Sequence, residues 1–249
     1  CSVKGERNMK KRFRFLLLGA VSILLALALL AGCASPTAAQ PDSPRQTASQ
    51  EVQLEVPYLS QEDILPTGCE AVSAAMVLQY WGVDVTPEEV ASMLPCAPLY
   101  QLRGQLYGPN PDEFFVGSPF EETGYGCYAP VIAGVLEEQL SPKYTVTLEY
   151  GCTIRQLYQN YVVEQGAPVL IWVTIDLVEP TPGTQWQLEG GSLFTWKKNE
   201  HCMVLTGRQG DRYLCQDPYE SHGTVSLPED LLQLRFEQMG SQAVAVVQS

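Results

Sequence analysis

Residues 65–82 read Leu65-Pro66-Thr67-Gly68-Cys69-Glu70-Ala71-Val72-Ser73-Ala74-Ala75-Met76-Val77-Leu78-Gln79-Tyr80-Trp81-Gly82. From Ala71 the run is rich in helix formers and apolar on nearly every face, so it predicts a helix buried all round and stopped by Gly82. Cys69 falls in the first turn of that helix, where unpaired backbone amides and the helix dipole favour negative charge. That position predicts a thiol shifted toward the thiolate. Free cysteine is also among the commonest buried residues and packs as a small hydrophobe, so the reading of Cys69 depends on what the rest of the chain brings to it.

A thiol nucleophile needs a base, and the chain holds two histidines, His201 and His222. Segments 202–206 and 212–215 flank Gln209-Gly210-Asp211, a hairpin signal. With Gln209-Gly210 as the loop, Arg208 pairs with Asp211 and His201 with Pro218, one residue from Asp217. An acid there can fix the imidazole tautomer and turn the other ring nitrogen toward Cys69, the logic of a Cys-His-acid triad. Gln61, eight residues before Cys69, can add a side-chain amide donor to the backbone N–H of Cys69 and so form an oxyanion hole. The sequence contains no Gly-rich phosphate loop, H-E-x-x-H zinc motif or G-x-S-x-G elbow, which argues against nucleotide, metalloprotease and serine-hydrolase chemistry. No metal or organic cofactor is implied.

Outward from this centre, Val52, Leu54 and Val56 alternate with polar residues and predict a short strand. Thr86-Pro87-Glu88-Glu89 combines a capping hydroxyl, a proline at the first helical position and a glutamate three residues after the cap, which predicts a helix to about residue 94. Residues 95–127 contain five prolines and five glycines among aromatics and read as a long ordered loop. Helices are expected over 129–140 and 153–165, strands over 144–148 and 243–247, and a central strand over the β-branched and aromatic run 169–175. Residues 178–195 read as a polar excursion. Helices first and antiparallel strands later imply an α+β architecture, an N-terminal helical part packed on a C-terminal sheet as two layers around a cleft.

The opening of the chain is different. Residues 1–32 hold six basic residues and one acid, and 15–32 form an uncharged Leu- and Ala-rich run, the pattern of a secretory signal with Met9 as its start. Leu30-Ala31-Gly32-Cys33 resembles a bacterial lipobox, which makes Cys33 the expected lipidation site and 34–50 a solvated tether to a domain over 51–249. The remainder after residue 32 carries nine basic against 27 acidic residues, a net charge of -18, which repels nucleic acid. Six cysteines remain in the domain, Cys69, Cys96, Cys127, Cys152, Cys202 and Cys215, without a C-x-x-C pair. With one thiol kept free for chemistry, at least one more is left unpaired.

Val56-Pro57-Tyr58-Leu59-Ser60-Gln61 and Leu65-Pro66-Thr67-Gly68-Cys69-Glu70-Ala71 resemble the opening of family-39-like cysteine peptidase domains, papain-like proteins of bacterial surfaces. Later blocks continue the likeness in order: Gly108-Pro109-Asn110-Pro111, Phe115-Val116-Gly117, Gly166-Ala167-Pro168-Val169, Glu200-His201-Cys202 and Gln216-Asp217-Pro218. The resemblance implies a papain-like fold with Cys69 as nucleophile, His201 as base, Asp217 as orienter and Gln61 in the oxyanion hole. Together with the lipobox-like Leu30-Ala31-Gly32-Cys33, it makes an extracytoplasmic, lipid-anchored enzyme acting on a peptide or protein the expectation. Better-known relatives cut leader peptides after double glycine while fused to exporters, but this chain has no ATPase P-loop. Two other expectations share the same fold: a catalytically silent surface binding module that uses the 95–127 loop, and an acyltransferase or peptidoglycan amidase.

Overall fold

The computed structural model describes residues 51–249. The expected signal segment, with Met9, Cys33 and the expected tether, lies outside the described residues. In chain order the elements are α1 (Cys69–Tyr80), α2 (Pro87–Met93), β1 (Cys96–Ala97), β2 (Tyr100–Leu102), β3 (Gln105–Tyr107), β4 (Phe115–Val116), α3 (Ala129–Gln139), β5 (Tyr144–Tyr150) and α4 (Ile154–Leu157). There follow β6 (Val169–Thr174), β7 (Pro182–Gln187), β8 (Leu193–Lys197), β9 (Glu200–Gln209), β10 (Arg212–Asp217), β11 (Gly223–Pro228), α5 (Glu229–Gln238) and β12 (Gln242–Gln248). The architecture is α+β, as expected.

Its centre is a six-stranded antiparallel sheet in the order β11-β10-β9-β6-β12-β5. β6 is buried at every position, and its alternation divides it between two cores. Leu170 and Trp172 pack with α1 and α3, whereas Val169, Ile171 and Val173 pack with the α4 region and α5. The sheet is therefore covered on both faces, a correction to the expected two layers. A strand this apolar needs a partner on each side, because leaving either face wet would expose large Val, Ile and Trp surfaces.

α1 is buried from Cys69 to Leu78. Ser73 Oγ donates to Cys202 O at 3.0 Å, tying the helix to β9 one turn beyond Cys69. Gly68 precedes the helix in a place only glycine fits, since a Cβ there would lie 2.6 Å from Leu65 Cβ. In α2 the capping box is complete: Thr86 accepts from Glu89 N, and the Glu89 carboxylate accepts from Thr86 N.

Other expectations change. Residues 52–56 form an isolated bridge, Gln53 to Gly207, beside β9, where the pairing of β6 has ended at Leu205. The 153–165 helix becomes a π-helix after Leu157, over Tyr158–Val163. The excursion 178–195 contains β7 and the start of β8, which join β2 and β3 from the supposed loop in a second sheet, β2-β3-β7-β8. β11 and α5 had no counterpart in the sequence reading. The hairpin register also differs: Arg212 faces Gln209, and a bulge at Leu214/Cys215 shifts the ladder so that Gln216 faces Val204. His201 is thus not opposite Pro218. The pairing ends at Gln216, and the next residue, Asp217, still reaches the His201 ring.

Candidate active site

A cavity of about 410 Å³ opens where the start of α1 meets the start of β9, lined by Gln61, Cys69, Glu200 and His201, with Trp196 of β8 and Tyr219 among its walls. The structure thus brings Gln61, Cys69 and His201 to one space, with Asp217 directly behind His201. His201 Nε2 lies 2.7 Å from Asp217 Oδ1, and both side chains are almost fully buried. The other carboxylate oxygen, Oδ2, holds His222 Nδ1 at 3.0 Å, and Tyr219 N donates to Oδ1 at 3.0 Å. Burial would push the Asp217 carboxyl up, but the bonds from His201, His222 and Tyr219 outweigh it and hold it below the usual range. With Nε2 engaged by Asp217, His201 Nδ1 has no hydrogen-bond partner among the described residues.

Gln61 is fixed by its backbone, whose N–H donates to Pro218 O at 2.9 Å. Its Nε2 donates to Pro66 O at 3.3 Å, while its buried Oε1 has no partner. A half-turn of the amide exchanges one long bond for an N–H at the orphaned position.

Cys69 departs from expectation. Its sulfur donates to Glu70 Oε2 at 3.3 Å. Burial, then the neighbouring carboxyls of Glu70 and Glu200, push the thiol well above its ordinary value. The helix N-terminus does not produce a resting thiolate here, because desolvation and two acids oppose it. All six cysteines of the described domain are free.

Glu70 and Glu200 were not singled out by the sequence reading. Glu70 is fully buried, and its Oε1 accepts from Cys127 N at 2.6 Å. Glu200 is 7% exposed, and its buried Oε1 has no hydrogen-bond partner. Burial raises both acids. The available signal was a charged residue at the mouth of an apolar run, Glu70 before 71–78 and Glu200 before 202–205. Of the tryptophans, Trp172 lies in the core with Nε1 donating to Cys127 O at 2.9 Å. Trp196 forms a cavity wall, stacked on Tyr128 at 5.7 Å between centroids.

The uncharacterized protein YvpB of Bacillus subtilis (strain 168) is 29% identical over 215 residues, 85% of this chain and 82% of that protein. A protein of Bacillus anthracis whose crystal structure is described as that of a C39-like peptidase superposes with a TM-score of 0.70 at 30% identity, over 80% of this chain and 98% of that one. A double glycine motif protease from an AMS/PCAT transporter, solved with its leader peptide, superposes with a TM-score of 0.45 at 17% identity, over 80% of this chain and 96% of that one. The fold is that of the papain-like C39 peptidases. Residues 53–244 match the Peptidase_C39 like family over most of the chain's length, and the chain belongs to that family.

Proposed function

We propose that this protein is a cysteine-type peptidase or related thiol hydrolase that cleaves a peptide or amide bond through a thioester on Cys69. The observation that carries the reading is the shared cavity of Cys69, His201 and Gln61 with Asp217 bonded at 2.7 Å to the far side of the imidazole. In the required tautomer Nε2–H donates to Asp217, and Nδ1 carries the lone pair that takes the thiol proton. Because the resting thiol is neutral and held by Glu70, it leaves that bond and passes its proton to His201 as sulfur attacks the carbonyl carbon. The resulting oxyanion sits between the first-turn amide of Cys69 and the rotated amide of Gln61. Its collapse breaks the C–N bond, the imidazolium protonates the leaving amine, and water activated by His201 hydrolyses the thioester.

Lipidation at Cys33 would hold the domain outside the bacterial membrane, next to its peptide or protein substrate. The support is the basic opening, the apolar run and the lipobox-like Leu30-Ala31-Gly32-Cys33. Among the described residues no helix is long and apolar enough to cross a membrane.

Replacing Cys69 with Ala should abolish hydrolysis of a peptide library, read by mass spectrometry, while circular dichroism and melting stay close to wild type. Hydrolysis that survives Cys69→Ala sinks the proposal.

A further inference from the structure

Behind the reacting face, Cys69, Glu70 and Glu200 present one ligand atom each, all within 4.8 Å of one another and all buried. Two buried carboxyls side by side must either take up protons or hold a compensating positive charge. Among the described residues neither is paired with a Lys, Arg or His, and Glu200 Oε1 has no hydrogen-bond donor. Gly126 keeps the space between them open. A Cβ at that position would lie 2.5 Å from Glu70 Oε1 and 2.8 Å from Glu200 Oε2.

We infer that Cys69, Glu70 and Glu200 form a binding site for a thiophilic divalent cation of the zinc type, with its fourth position open to the cavity. Borderline-soft zinc accepts thiolate sulfur together with carboxylate oxygen. Sulfur at about 2.3 Å and oxygen at about 2.0–2.2 Å from a tetrahedral ion lie roughly 3.5 Å from each other. The separation of Cys69 Sγ from Glu70 Oε2 is 3.3 Å. The amide of Cys127, donating to Glu70 Oε1, orients that carboxylate as an outer-shell partner does. The ion reaches the site through the cavity that Cys69 and Glu200 line. The thiol proton passes to solvent as the sulfur–zinc bond forms.

An ion bound there occupies the sulfur assigned above as nucleophile and switches turnover off. That consequence rests on the proposed function, whereas the binding does not.

The test is calorimetric titration of Zn²⁺ into the full chain, with Co²⁺ as a spectroscopic probe of thiolate coordination, for wild type, Glu200→Gln, Cys69→Ser and His201→Ala. We expect one site whose thiolate-to-cobalt band disappears in Cys69→Ser. Glu200→Gln should weaken binding by at least the roughly 10- to 100-fold of a lost outer-shell partner. His201→Ala should leave it within about threefold, a difference under 1 kcal/mol. Strong loss in His201→Ala with binding retained in Glu200→Gln would place the ion on the thiol–imidazole pair and overturn the inference. Absence of a thiolate-to-cobalt band in wild type would mean that the carboxyls share only a proton, and would overturn it equally. Both readouts are independent of hydrolysis, so a zinc site in a chain that cleaves nothing would remain distinguishable from an active peptidase without one.

Discussion

With one carboxylate oxygen on His201 and the other on His222, Asp217 stays ionised although it is almost fully buried. His222 is held above its ordinary value, first by its bond to Asp217 and against a smaller effect of burial. Its contribution to stability is therefore complete below about pH 6.5, the unfolded value, and disappears as pH rises through the higher folded one. The Asp217 contribution has the opposite sense. It is complete above about pH 3.9 and disappears as pH falls through the lower folded value. Thermal melts from acid to mildly alkaline pH should show His222→Gln costing stability below neutrality and nothing measurable once His222 is deprotonated in wild type. An equal cost at all pH values would mean that His222 acts by packing alone. Individual residues were unevenly legible: His201 could be picked out by scarcity and Cys69 by its place in the first turn of a helix. Glu70 and Glu200 could not, because a carboxylate beside an apolar run normally marks the end of an element, and only the third dimension reveals two of them sharing one buried space.

The helices whose ends are written in side chains were the most readable elements. Thr86 and Glu89 close α2 reciprocally at 3.2 and 2.8 Å. Removing the hydroxyl in Thr86→Ala should cost about 1 kcal/mol in urea denaturation. A change below a few tenths would mean that α2 is held by packing alone. β6 was legible as a central strand because all its positions are apolar or β-branched. α5 was not: Leu231 and Leu234 face outward while Leu232 and Phe236 are buried, so its pattern follows no clean stripe. The β9–β10 register failed for a different reason. A bulge adds one residue without altering composition, and here it moves the register by one just ahead of Asp217.

At the scale of the molecule, a net charge of -18 after residue 32 favours the approach of cationic over anionic peptides. Cationic peptides should therefore show a KM that rises with added salt, and anionic ones a KM that falls, both converging toward about 1 M where the Debye length is about 3 Å. Salt-independent KM values for both would show that local groups such as Lys198, which lines the cavity, govern recognition. The sheet order has a further consequence for biogenesis. β12 lies between β5 and β6, although more than sixty residues separate it from either strand in the chain. Until residues 242–248 have been synthesised, β5 has no partner in this sheet and β6 keeps an open apolar edge. The sheet can therefore close only late in folding, once its last strand in sequence has reached the two that it joins.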